Sequence, residues 1–278
     1  MTRPGRVAPT VVRNGDVELS CTVVGDGPLV VMVMGTGSPG RVWHAHQQPA
    51  LVKAGFRVVT FDNRGIAPSS ECADGFSMAD MVADTAVVVE HFGGPALVVG
   101  TSMGARIAQE LALSRPELVR AAAMLGTYGR STPLLTAYNE GERALIDAGQ
   151  KLPDAFHAAI TAHMNLSPTT LADDRSARDW LDIIGFGGQS QSAGVRAQLA
   201  LPERDENRLA SYGGITRPCL VVGFADDRTL PVFLAREVAD AIPGAQYEEI
   251  ADAGHFGYIE QPAAVNTVLL DFLAAHRD

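Results

Sequence analysis

The stretch Gly100-Thr101-Ser102-Met103-Gly104 limits what this chain can fold into more than any other. Ala96, Leu97, Val98 and Val99 lead into it as a continuous apolar run, the pattern of a short buried strand. Ala105-Arg106-Ile107-Ala108-Gln109-Glu110-Leu111 leads out, with Ile107 and Leu111 one turn apart on a helix face. A few residues must therefore turn a strand into a helix. At so sharp a turn, side chains at positions 100 and 104 would strike neighbouring backbone, and glycine removes the collision because it has no Cβ. The serine between them is forced into strained dihedrals costing on the order of 1–3 kcal/mol, which hold its Oγ clear of the sheet. Glycine-x-serine-x-glycine between strand and helix is the nucleophile-elbow pattern. The competing reading is that the two glycines serve packing alone.

Apolar strands and helices alternate around this point. Residues 1–8 are expected to form a disordered tail. Asn14-Gly15 is a hairpin signal, and beyond it an alternating strand is predicted over 17–24. A continuous apolar strand over 29–34 runs into a glycine-rich loop at 35–40. The pattern then predicts a helix over 43–54, a strand over 56–61, and a helix over 77–92 with Ser77 as N-cap. The helix after the elbow stops before Pro116, and a strand follows at 121–126. The alternation lapses over 128–212 and resumes with a strand at 219–222, a helix near 231–241, a strand at 246–250 and an amphipathic helix over 262–276.

This order predicts an α/β fold, a mostly parallel central sheet flanked by helices on both faces. Residues 1–127 and 213–278 would form the core domain. Residues 128–212 would be a helical cap, or lid, inserted after the strand near 121–126 and lying over the carboxyl ends of the strands, where such sheets carry their sites. The cap is expected to be apolar-lined and mobile near 185–188.

Composition excludes several classes of function. A net charge of −10 without any cluster of basic residues argues against a nucleic-acid surface. No stretch approaches the ~20 apolar residues of a membrane span. The first residues lack the apolar region of a secretory signal. Cys21, Cys72 and Cys219 are odd in number and far apart, which fits reduced thiols in a cytoplasmic protein.

A nucleophilic serine needs a base, and the base needs a group to orient it. His255, in Ala253-Gly254-His255-Phe256, follows a predicted strand end and precedes the last helix. The other histidines fit worse: His44 and His46 lie in the first helix region, His91 at a helix end, His157 and His163 in the insertion, and His276 near the terminus. For the acid, Asp226 and Asp227 compete just past the strand at 219–222. Asp227, four residues before Pro231, is preferred, although aspartate there also suits a helix N-terminus.

The order Ser102, Asp227, His255 resembles that of the α/β-hydrolase fold superfamily, which includes serine esterases, enol-lactonases and anthracycline-methylesterase-like proteins. Leu220-Val221-Val222-Gly223-Phe224-Ala225-Asp226-Asp227 and Gly254-His255-Phe256, with Glu260-Gln261-Pro262 behind, are similar to the family's acid and histidine loops. Asp62-Asn63-Arg64-Gly65 resembles its D-x-R-G turn. The resemblance implies a cofactor-independent serine hydrolase, without metal, acting on a small-molecule ester, lactone or thioester, and possible as a homodimer. It assigns Ser102 as nucleophile, His255 as base and Asp227 as its orienter. Backbone N–H groups of Met103 and of Gly35 or Thr36 would form the oxyanion hole. Met34-Gly35 departs from the usual His-Gly there and removes a side chain that often braces the loop. Tyr128, Met164 and Phe186 in the insertion, with Phe256, are candidates to line the substrate pocket, and core packing accounts for the first three equally well.

Rival readings share these residues. Gly35, Gly37 and Gly40 spell G-x-G-x-x-G after a strand, with Asp62 about 20 residues on, as in an NAD(P)-binding oxidoreductase. Pro39 in the stretch that should open the helix, and the hairpin before the strand, count against it. A hydrolase-fold lyase or cyclase of natural-product biosynthesis, eliminating an acyloxy group such as acetate, would use the same serine and histidine. A binding module would have no reason to keep all three groups. His44 and His46, two apart, point to different helix faces and make a poor metal pair. Trp43 and Trp180 read as packing anchors, and Asp80 and Asp84 as a solvated helix face.

Overall fold

A computed structural model describes residues 9–201 and 207–277; the tail expected at 1–8 lies outside them. Strands β1 (Thr10–Asn14), β2 (Val17–Val24), β3 (Leu29–Val33), β4 (Arg57–Phe61), β5 (Ala96–Thr101), β6 (Val119–Leu125), β7 (Cys219–Phe224) and β8 (Gln246–Ile250) form one sheet in the order β1-β2-β4-β3-β5-β6-β7-β8. The β1–β2 and β2–β4 pairs are antiparallel, and the pairs from β4 to β8 are parallel. Every residue of β3, β5 and β7 is buried, which is why these strands read as unbroken apolar runs. The Asn14-Gly15 signal closes the β1–β2 hairpin, with Asn14 opposite Val17.

Helices cover both faces. On one, α2 (Met78–His91), α3 (Met103–Ser114) and α10 (Phe233–Ala241) contribute Met81, Val88, Ile107, Leu111 and Val238 to the larger core. On the other, α1 (Gln47–Lys53) and α12 (Pro262–Ala275) pack Leu51, Val265, Leu269, Phe272 and Leu273 with Trp43. A short α11 (Gly257–Glu260) precedes α12. Ser77 caps α2 in a reciprocal pair with Asp80. Between β6 and β7 lie α4 (Pro133–Asp147), α5 (Asp154–Asn165), α6 (Pro168–Ala172), α7 (Asp174–Gly187), α8 (Ala193–Leu199) and α9 (Leu209–Tyr212). Among the described residues no helix is long and apolar enough to cross a membrane.

The structure departs from two expectations, the helix over 43–54 and the solvated Asp84. The helix expected over 43–54 is a 3-10 turn at Gly40–Ala45 followed by α1. Pro49 has no N–H to give the carbonyl of residue 45, so one α-helix cannot run through both. Residues 185–187 form the last turn of α7, closed by Gly188 at φ +68°. Asp84 is not solvated: it is 1% exposed and takes Arg64 Nε at 2.6 Å and Nη2 at 2.7 Å, with Asn14 Nδ2 at 2.8 Å. This pair ties the turn after β4 to α2 and to the first hairpin.

Such a pair costs more to break than to replace. Asp84→Ala is expected to lower unfolding free energy by about 3–5 kcal/mol in urea denaturation, because Arg64 stays buried without its partner. Arg64→Met combined with Asp84→Leu should lose clearly less.

Candidate active site

The elbow is built by contact between three elements. Ser102, between β5 and α3, sits at φ 55° and ψ −122°, a conformation few non-glycine residues adopt. A Cβ on Gly100 would stand 2.1 Å from Gly104 O, and one on Gly104 would stand 2.2 Å from Val33 O. Glycine at both positions lets α3 start against β5 and β3. Two main-chain bonds fix the serine: its N–H donates to Leu125 O at 3.0 Å, and its carbonyl accepts from Arg106 N–H at 3.1 Å.

The structure brings Ser102, His255 and Asp227 together from the carboxyl ends of β5, β8 and β7. His255 Nδ1 lies 2.6 Å from Asp227 Oδ2, and Nε2 lies 3.0 Å from Ser102 Oγ. A carboxylate can only accept, so Nδ1 carries the proton and Nε2 presents a lone pair to the serine hydroxyl. Asp227 is 5% exposed and its Oδ1 accepts Leu230 N–H at 2.6 Å, which locks the carboxylate plane. Asp226 is turned away and accepts from Ser167 Oγ at 2.7 Å.

Above the serine runs the loop after β3. A Cβ on Gly35 would lie 3.1 Å from Ser102 Cβ, so the loop passes directly over the nucleophile position. Its bracing comes from elsewhere in the chain. Asn63 Nδ2 donates to Met34 O at 3.0 Å. Gln198 of α8 accepts Gly37 N–H at 2.8 Å and donates to Arg64 O at 2.8 Å, and it is 1% exposed. The dinucleotide reading fails on the same loop. Asp62 Oδ1 accepts Gly40 N–H at 2.7 Å, and the loop opens into a 3-10 turn rather than into the α-helix that motif requires.

These groups open onto a cavity of about 530 Å³. Met103, Gly35, Thr36, Tyr128 and Phe256 line it, as do Tyr138 and Glu142 of α4, His157 and Thr161 of α5, and Trp180 of α7. Two candidate pocket residues do not. Phe186 is 97% exposed, on the far side of α7 from Trp180, Ile183, Ile184 and Gly187, which face the cavity at helical spacing. Met164 of α5 is absent from the lining, and its carbonyl accepts from Thr229 Oγ1 at 3.3 Å.

The sequence profile of the alpha/beta hydrolase fold matches residues 28–262. The chain belongs to that family. BpoC of Mycobacterium tuberculosis strain H37Rv, by its name a candidate non-heme bromoperoxidase, is 46% identical over 252 residues, covering 90% of this chain and 95% of its own. The BpoC crystal structure superposes with a TM-score of 0.89 at 41% identity over the full length of both chains. The pimeloyl-[acyl-carrier protein] methyl ester esterase of Chromobacterium violaceum is 30% identical over 250 residues, 87% of this chain and 93% of the esterase.

In this chain the helical insertion is fastened to the core on both sides of Ser102. At the end of α5, Asn165 O accepts Phe256 N–H at 2.9 Å, and Ser167 N–H donates to Glu260 at 2.8 Å. Glu260 also accepts Gly254 N–H at 2.7 Å, bracing the histidine loop. At α8, Gly194 meets Gly65 backbone to backbone, where a Cβ on Gly194 would lie 2.3 Å from Gly65 O. Removing Gln198 leaves Gly37 N–H and Arg64 O without their partner. Gln198→Ala is expected to speed amide hydrogen exchange at 35–38 while exchange in β5 stays unchanged, and to cost about 1–3 kcal/mol of stability.

Proposed function

We propose that this chain is a serine hydrolase that cleaves a carboxylic ester, lactone or thioester of a small molecule through an acyl-enzyme on Ser102. The observation that carries this reading is the continuous relay from Ser102 Oγ to His255 at 3.0 Å and on to Asp227 at 2.6 Å, opening onto a cavity of about 530 Å³. That volume lies within the usual range for small-molecule sites.

His255 Nε2 takes the hydroxyl proton as Ser102 Oγ attacks the acyl carbon. Asp227 stabilises the imidazolium that results. The carbonyl oxygen becomes an oxyanion facing the N–H of Met103, at the start of α3, with the loop at Gly35 and Thr36 supplying the second donor. Each such donor is worth roughly 2.7–4 kcal/mol in the transition state. The imidazolium then protonates the leaving group. In the second half, His255 takes a proton from water, the resulting hydroxide attacks the acyl carbon, and Ser102 leaves with the proton returned. Residues 128–212 act as a cap that roofs the site and selects substrates, with Tyr128 on the cavity wall.

A second reading rests on the name of the mycobacterial relative. Hydrogen peroxide in place of water at the acyl-enzyme would release a peracid, and the peracid would oxidise bromide in solution. It requires the same serine.

A fluorophosphonate probe is expected to label the protein at Ser102, and Ser102→Ala to abolish labelling without a change in circular dichroism. Undiminished labelling of that variant would overturn the nucleophile assignment. In a panel of small esters run in oxygen-18 water, label should appear in the released acid. An unlabelled acid accompanied by an alkene would identify elimination instead.

A further inference from the structure

The cavity at Ser102 does not end at the nucleophile. A second cavity of about 510 Å³ adjoins it, and the two share part of their walls. Thr36, Gly37 and Ser38 form one side of the shared passage; Tyr138 and Glu142 of α4 with His157 and Thr161 of α5 form the other. Beyond the passage Leu145, Ile146, Leu152, Ile160 and Val195 give an aliphatic side, and Gln189, Ser190 and Gln191 complete the wall. A molecule held at Ser102 and extending into the second cavity must pass the Glu142 carboxyl.

Glu142 is the sole carboxylate lining either cavity among the described residues, and no lysine or arginine lines the second. Burial pushes its carboxyl above the ordinary range, and the Tyr138 hydroxyl, one turn back on α4, offsets this only in part. His157 across the passage is held neutral-leaning, its imidazole lowered by burial more than Asp154 raises it. Arg41 lines only the cavity at Ser102, and Arg196 of α8 is engaged with Asp147 on the outer surface. Among the described residues no cation stands beside this half-buried carboxylate, so it is incompletely solvated, and a cation docked against it recovers that loss.

We propose that the passage is a subsite for substrates bearing a protonated amine remote from the scissile bond, with Glu142 as its counter-ion and the aliphatic part of the substrate beyond it. Tyr138, which lines both cavities, adds aromatic surface suited to an ammonium group. A carboxylate in the same position meets Glu142 and is rejected. The assignment deepens the proposed hydrolase reading, because the second cavity is taken to hold one end of the molecule cleaved at Ser102.

The test separates binding from turnover. Hexylammonium, hexanol and hexanoate are titrated by calorimetry at pH 8 into the Ser102→Ala protein, alone and combined with Glu142→Gln. Hexylammonium should bind at least tenfold tighter than hexanol, with hexanoate weakest. Glu142→Gln should erase the ammonium advantage and leave hexanol affinity unchanged, which also reports that the pocket is intact. Because the folded carboxyl has a raised pKa, ammonium binding should release a proton as pH falls toward that value, read from the dependence of heat on buffer ionisation enthalpy. Equal affinities for hexylammonium and hexanol, or an ammonium advantage that survives Glu142→Gln, would overturn the subsite. Wild-type cleavage of p-nitrophenyl 6-aminohexanoate over p-nitrophenyl hexanoate then joins the two readings. Selective binding with neither ester cleaved through Ser102 would uphold the subsite and sink the hydrolase mechanism.

Discussion

The backbone of Ser102 is the constraint on which the site depends. At φ 55° it lies where a side chain is unwelcome, and an isolated peptide would leave that conformation. It is kept because main-chain bonds to Leu125 and Arg106 hold the residue from both sides, and because β3, β5 and α3 leave no room for another path. The strain is thereby spread over the most buried part of the sheet. Its product is geometric: a hydroxyl projected past the strand ends, within 3.0 Å of an imidazole delivered from the other end of the chain.

The same layout explains why the insertion is more than a cover. One anchor joins the end of α5 to the histidine loop through Asn165, Ser167 and Glu260. Another joins α8 to the glycine loop through Gln198. The two loops that flank the serine are therefore each shared between core and insertion. Displacing α5 pulls on the backbone next to His255, and displacing α8 pulls on Gly37. The chain departs from the His-Gly pattern after β3, and the side chains that brace its loop are Asn63 and Gln198, the second of them 161 residues from its partner.

What could be read from the sequence follows from that distance. The elbow, the histidine loop and the strand–helix alternation are local patterns, and they locate the sheet and the three groups that meet at its edge. Asp84 was misread because an aspartate on a helix looks solvated until Arg64 is brought beside it by the turn after β4. Gln198 carries no local signal, since its partners lie in other segments. The pocket face of α4 was present in the spacing of Leu135, Tyr138, Asn139 and Glu142, but finding it needs the helix located first. Phe186 shows how unforgiving that step is. A shift of one residue turns a helical side chain by about 100°, enough to move it from cavity to solvent.

Chemistry and selection therefore come from different stretches of the chain. The core supplies Ser102, His255 and Asp227 from three strand ends whose positions the sheet register fixes, and a change there disturbs the fold as well as the site. The insertion supplies Tyr138, Glu142, His157 and Trp180 from helix faces, where a side chain can change without moving a strand. In the proposed reaction the acyl-enzyme is a property of the first set, while what is bound and what attacks are properties of the second. A relative named as a bromoperoxidase and another named as a methyl ester esterase both match this chain over most of its length. In this chain the cavity wall places Glu142, the one carboxyl among the described lining residues, where the two cavities meet.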